Sequence, residues 1–278
     1  MKKLYVSDLD GTLLDSNAVL SEKTAEILNN LIDNGMNFTF ATARSAASAL
    51  EIMAGLKLEM PCILMNGVSI YDTKKDTYIK NEYIQFEDAV LVADAFESHN
   101  LYPFMYKIEE DVLFALYTQF SNDTMEEYYR IRHDKYKKPF DRCDDFREHA
   151  KTGVVYFTLC DSFEKLLPVK EEIEKISGVK FEFYKDVYHK EYWFLEIFSR
   201  NASKYNAVKF LREYGGFDHV TAFGDNLNDI PLFEASDRKI AVQNAKDELK
   251  NLADCIIGDN NSDAVALWLN KTYNSERI

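Results

Sequence analysis

The chain has 278 residues, more than the ~150 typical of one domain, so one elaborate domain or a core carrying an inserted module is expected. Hydrophobic residues make up 46% and aromatic residues 14%, with only 10 Gly and 5 Pro, which excludes collagen-like, low-complexity and disordered chains. Lys and Arg number 33 against 47 Asp and Glu; the net charge of −14 has the wrong sign for a protein built to neutralise nucleic-acid phosphates or anionic lipid.

In chain order, the apolar run Leu4-Tyr5-Val6 predicts a strand, 24–33 a helix, 38–41 a strand, 46–56 a helix and 62–65 a strand. Asn34-Gly35 is a helix stop that feeds the second strand. This alternation predicts a parallel sheet with helical crossovers. From about Gln85 to Tyr188 the texture changes to aromatic-rich strands at 111–118, 154–159 and 180–183, with helices at 87–98 and 163–176. That stretch reads as an α+β insertion, which is either inert decoration or, the reading preferred for long insertions in α/β folds, a lid over the site. The alternation resumes with helices at 202–214, 230–234, 246–253 and 263–269 and strands at 219–223, 239–242 and 255–257, so both ends belong to one α/β unit.

No apolar run approaches the ~20 residues that cross a bilayer. Met1-Lys2-Lys3 passes straight into the first strand without a signal-peptide stretch, and Cys62, Cys143, Cys160 and Cys255 are too dispersed for a metal knuckle and suit a reducing compartment. A cytoplasmic protein is expected.

In a parallel sheet the ligand site lies beyond the carboxyl ends of the strands. There the sequence places Asp8-Leu9-Asp10-Gly11-Thr12, then Thr42 and Arg44, then Asn66-Gly67, and, after the insertion, Gly224-Asp225-Asn226-Leu227-Asn228-Asp229. Three of the ten glycines, Gly11, Gly67 and Gly224, fall at these ends, where backbone must turn or approach a ligand closely. Asp8, Asp10, Asp225 and Asp229 gathered at one sheet edge repel one another unless a cation neutralises them. All-oxygen ligands on an open face point to Mg²⁺.

These motifs, with Lys204 between them in the chain, resemble the four motifs of the haloacid dehalogenase superfamily. The insertion between the second and third motifs, together with Asn66-Gly67 and Val242-Gln243-Asn244-Ala245, is similar to the Cof-type phosphatases of subclass IIB, which carry a large C2B cap. The resemblance implies a Rossmann-like parallel-sheet core over 1–84 and 189–278 and an α+β cap over 85–188. It further implies that Asp8 is the nucleophile that becomes an aspartyl phosphate and that Asp10 serves as acid and then base. Thr42 donates to a phosphate oxygen, Lys204 neutralises the incoming anion and Asn228 orients the phosphate end. Asp225 ligates the metal beside Asp8 and the Asp10 carbonyl, while Asp229 holds the metal or its waters. Ala43 and Ala264 stand where the family usually has Gly.

Three features stay open. Arg44 is either a substrate or cap contact or the partner of a surface acid; Asn66, with Gly67, is either a substrate hydrogen-bonding group or an ordinary turn. The basic run Arg130, Arg132, Lys135, Lys137, Lys138 and Arg142 is either a grip on a second anionic group or a solvated helix face. The leading expectation is a Mg²⁺-dependent hydrolase of small phosphate esters such as sugar phosphates. A sugar phosphomutase, which needs that second grip, and a catalytically idle binding module are the alternatives.

Overall fold

The computed structural model describes residues 1–134, 137–186 and 190–275. The chain opens with β1 (Lys3–Ser7), α1 (Glu22–Asp33), β2 (Asn37–Phe40), α2 (Ala46–Ile52), β3 (Cys62–Leu64), β4 (Ser69–Asp72) and β5 (Thr77–Asn81). It continues with α3 (Phe86–Ser98), β6 (Phe104–Glu109), β7 (Val112–Tyr117), α4 (Asp123–Asp134), β8 (Phe140–Arg142), α5 (Phe146–His149), β9 (Val154–Ser162), α6 (Phe163–Ile173), β10 (Val179–Lys185) and β11 (Tyr192–Ser199). It closes with α7 (Lys204–Gly215), β12 (His219–Gly224), α8 (Ile230–Glu234), β13 (Arg238–Ala241), α9 (Asp247–Lys250), β14 (Cys255–Ile256) and α10 (Ala264–Ser275). No helix among the described residues is long and apolar enough to cross a membrane.

Two compact units result, Met1–Lys80 with Ala202–Ile278, and Asn81–Asn201. The first is an α/β unit around an all-parallel sheet in the order β14-β13-β12-β1-β2. β1 and β12 are buried on both faces, as helix-covered parallel strands must be. Phe38, Phe40, Leu28, Val208 and Phe223 form part of the core. Local chemistry sets the helix ends: Ser21 accepts from the Thr24 N–H at the start of α1, Ser203 accepts from the Asn206 N–H at the start of α7, and α7 stops at Gly216 with φ +62°.

One strand departs from the expected sheet. β3 is joined to the parallel sheet by a bridge between Ala41 and Ile63, and otherwise pairs antiparallel with β4 in a three-stranded sheet β3-β4-β5. The cause is a tight reversal in which Met65, Asn66 and Gly67 all take positive φ, +48°, +52° and +92°.

The second unit holds a six-stranded sheet in the order β10-β11-β9-β6-β7-β8, antiparallel except for the β7–β8 pair. The expected boundary at 188/189 lies outside the described residues, but β11 beyond it pairs along its length with both β9 and β10 and so belongs to this unit. Its sequence carries Trp193, Leu195 and Ile197 on one face and Phe194 and Phe198 on the other, which hides the period-two alternation of a half-buried strand.

The basic run does not form one solvated face. Arg130 is exposed and pairs with Glu126 one turn away at 2.5 Å, and Arg142 donates to the Thr118 carbonyl. The Arg132 guanidinium, by contrast, lies 3.2 Å from the Tyr128 ring centroid, and Lys138 is buried with its ammonium 4.8 Å from the centre of the Tyr106 ring. Lys135 lies outside the described residues. Burial, reinforced by the charge of Arg132, pulls the Lys138 ammonium down to about 7. Its folded value lies below the unfolded one, so the cost of the charge is fully present below pH 7 and fades as pH rises through the window between about 7 and ~10.5. Lys138→Met therefore raises the thermal midpoint near pH 6, and the gain narrows toward pH ~10. Melting curves at both pH values check this; an equal gain at both contradicts it.

Candidate active site

The carboxyl end of β1 and the turn after β12 meet the first turn of α7 through Lys204. Asp8 follows β1 directly and its N–H donates to the Phe223 carbonyl at 3.0 Å, which ties it to the end of β12. Lys204, the first residue of α7, is 1% exposed, and its Nζ donates to Asp8 Oδ1 at 2.6 Å and to Asp229 Oδ1 at 2.7 Å. The other Asp229 oxygen accepts from the N–H groups of Asp225 and Asn226 at 3.0 and 3.1 Å. Asn226 in turn caps the short turn that carries Asn228 and Asp229. The motif spacing thus has a local reason: the turn after β12 is closed by the same carboxylate that meets Lys204.

Asp225 accepts from the Thr12 hydroxyl at 2.9 Å. Gly11 passes Asp225 so closely that a Cβ there would lie 2.5 Å from Asp225 Oδ2, and its φ of +78° independently favours glycine. Asp8, Asp225 and Asp229 each bring an oxygen within 4.8 Å of the others.

Three carboxylates against one ammonium leave two negative charges in a mostly buried cluster. Burial, then repulsion from Asp229, lifts the Asp8 carboxyl well above the usual carboxylate range, with Lys204 pulling the other way. The same two causes push Asp225 up to about 6. For Lys204, burial lowers its ammonium, but Asp229 and Asp8 outweigh that and hold it above its ordinary value. An all-oxygen cluster short of two positive charges suits a hard divalent cation, and Asp8, Asp225 and Asp229 are the side chains that would hold it.

Asp10 is not in that cluster. Its carboxylate is forked by Arg44, with Nε to Oδ2 at 2.8 Å and Nη2 to Oδ1 at 2.5 Å. Arg44 therefore pairs with an acid of the motif itself, a contact that the sequence reading left open. Thr42 is buried, and its Oγ1 accepts from the Arg44 N–H at 3.1 Å, which leaves the hydroxyl proton for another acceptor. Asn66 Oδ1 accepts from Asn228 Nδ2 at 3.4 Å, so these two positions come together. Gly67 has a structural reason of its own: a Cβ there would lie 2.2 Å from the Ser203 carbonyl oxygen, so glycine lets the β3–β4 turn press against the start of α7.

The sequence reading assigned no role to Thr12 or Asn244. Asn244 donates to the Gly11 carbonyl at 2.7 Å and accepts from the Asn260 N–H at 3.0 Å, steadying the turn that carries Asp10. The available signal was its place just past β13, at the same sheet edge as the motifs.

A family model described as haloacid dehalogenase-like hydrolase matches residues 5–269. A phosphatase-named protein of Buchnera aphidicola subsp. Baizongia pistaciae is 29% identical, covering 98% of this chain and 99% of its own. The Bacillus subtilis protein named 5-amino-6-(5-phospho-D-ribitylamino)uracil phosphatase YwtE is 25% identical and covers 99% of each chain. Among solved structures, TM0651 from Thermotoga maritima superposes with a TM-score of 0.79 at 28% identity, covering 98% of this chain and 97% of that one. The chain belongs to the haloacid dehalogenase-like hydrolases, as a phosphatase of the Cof type.

Removing the ammonium leaves buried carboxylates unpaired. Lys204→Met is expected to cost roughly 3–5 kcal/mol of stability in metal-free protein, and less when Mg²⁺ is present. Denaturant unfolding with EDTA and with Mg²⁺ measures both; an equal loss in the two conditions contradicts this charge balance.

Proposed function

We propose that the chain is a cytoplasmic, Mg²⁺-dependent phosphomonoester hydrolase that works through an aspartyl phosphate on Asp8 and acts on small phosphorylated metabolites, sugar phosphates among them. The observation that carries this reading is the buried Lys204 ammonium held between Asp8 and Asp229, with Asp225 alongside. A carboxylate attacks phosphorus only where the incoming anion meets positive charge. Lys204 supplies one such charge. Asp8, Asp225 and Asp229, with the main-chain carbonyl of Asp10, would hold a Mg²⁺ ion, which would supply the remainder when bound.

In the first half-reaction an Asp8 oxygen bonds to phosphorus as the ester P–O bond breaks, and the electron pair leaves on the alcohol oxygen, which Asp10 protonates. In the second, water attacks the same phosphorus, Asp10 takes its proton, and the pair of the Asp8–phosphate bond returns to the carboxylate. Thr42 donates its hydroxyl proton to a phosphoryl oxygen, and Asn228, braced by Asn66, holds the phosphate end. The inserted unit is the cap of the C2B type and carries selectivity. The name of the Bacillus subtilis relative, which describes a phosphate on a ribityl chain, supports a polyol-phosphate substrate. Hydrolysis is favoured over a mutase because the latter needs a second phosphate grip in the basic run, whose Arg132 and Lys138 are engaged with Tyr128 and Tyr106.

Excess EDTA is expected to abolish phosphate release from an aryl phosphate and added Mg²⁺ to restore it. Asp8→Asn, which keeps volume but deletes the nucleophile, should lower turnover at least about a thousandfold while inorganic phosphate still binds. Full activity in EDTA, or a wild-type rate in Asp8→Asn, overturns the reading. With a hexose 1-phosphate and a trace of the bisphosphate, free phosphate is the expected main product; conversion chiefly to the 6-phosphate replaces hydrolase by mutase.

A further inference from the structure

A group that moves a proton must be held within a few tenths of an ångström of its working position. Asp10 is poorly placed to hold itself. Its side chain is 47% exposed, and it sits in a turn that reverses at Gly11 with φ +78°. A half-exposed aspartate on a two-torsion side chain populates several rotamers unless a partner selects one. Arg44 is such a partner: Nε and Nη2 each engage a different Asp10 oxygen, which fixes the carboxylate plane as well as its direction.

Arg44 is itself anchored. Its N–H donates to Thr42 Oγ1 at 3.1 Å, its carbonyl accepts from the Met65 N–H at 3.0 Å, and its side chain is only 25% exposed. The fork is thereby mounted between the end of β2 and the Met65–Gly67 turn, two fixed points of the same unit.

We propose that Arg44 is a positioning residue for Asp10, holding it in one rotamer to take the proton of the water that hydrolyses the aspartyl phosphate. This rests on the reading of Asp10 as acid and base given above. In that step the water oxygen bonds to phosphorus and the P–O bond to Asp8 breaks, with its electron pair returning to the Asp8 carboxylate. The water proton passes to Asp10. An aryl oxide leaves in the first half-reaction with little need of a proton, so a loosened Asp10 burdens the second half-reaction selectively.

Rapid-quench kinetics of the Mg²⁺-loaded enzyme with 4-nitrophenyl phosphate separates the two. In Arg44→Met the first turnover of nitrophenol stays within about twofold of wild type, steady turnover falls about tenfold, a burst appears, and phosphate accumulates on the protein. Arg44→Lys keeps the charge but loses the fork and falls between the two. In an Asp10→Asn background, Arg44→Met adds less than about a twofold change. Variants are first matched to wild type by thermal melting; if Arg44→Met does not match, Arg44→Lys decides.

Equal slowing of first and steady turnover overturns the proposal. So does a raised KM at unchanged kcat, which makes Arg44 a substrate contact, or a further tenfold loss on top of Asp10→Asn. Wild-type turnover in Asp10→Asn alone instead overturns the reading of Asp10, whatever Arg44 does.

Discussion

The ammonium of Lys204 lies between the carboxylates of Asp8 and Asp229, and none of the three side chains is more than 8% exposed. Burying three charges costs several kcal/mol per ion unless each meets a partner at short range, and leaving one behind costs about as much. The arrangement is therefore an all-or-none constraint. The end of β1, the start of α7 and the turn after β12 must arrive together, although positions 8 and 204 are separated in the chain by the whole second unit. The parallel sheet satisfies this by pairing β1 with β12 in register, so that both strands release their chains at the same edge. Gly11 and Gly224 then permit the close approach: a Cβ on either would lie under 3 Å from an Asp225 or Asp229 side-chain atom.

Much of this is legible in the sequence alone. Carboxylates two residues apart after one strand, and four apart after another, mark an edge where charge must be balanced, and the family resemblance singled out Lys204 from its fellow lysines. What the sequence did not disclose is direction. Nothing in Asp8-Leu9-Asp10 says that one carboxylate joins Asp225 and Asp229 while the other is taken by Arg44; that depends on the backbone at Asp10 and Gly11. Nor did the strand pattern at 62–65 reveal that β3 leaves the parallel ladder for a hairpin, because residues with positive φ carry no hydrophobic period.

The second unit shows the same limit in another form. A run of basic residues suggests either a solvated face or an anion grip, yet Arg132 and Lys138 are set against tyrosine rings while Arg130 faces water. Sequence spacing cannot separate these fates, since the three lie on or just beyond one helix and differ only in which side meets the sheet. Tyr106 donates its hydroxyl to that of Tyr128 at 3.2 Å, and burial pushes the nearby Glu196 carboxyl up to about 7. Tyr106 and Glu196 thus place polar groups on a sheet face whose aromatic-rich strands do not announce them.

Gly67 has no side chain to offer a substrate, yet it presses against the carbonyl of Ser203, the residue that caps the helix beginning with Lys204. Any larger residue at 67 must displace that cap, and with it the ammonium on which the acidic cluster depends. A saturation mutagenesis map scored by turnover would consequently rank position 67 beside Asp8 and Asp229, the carboxylates that meet Lys204. In this chain, intolerance to substitution reports the stiffness of the mounting as much as the chemistry mounted on it.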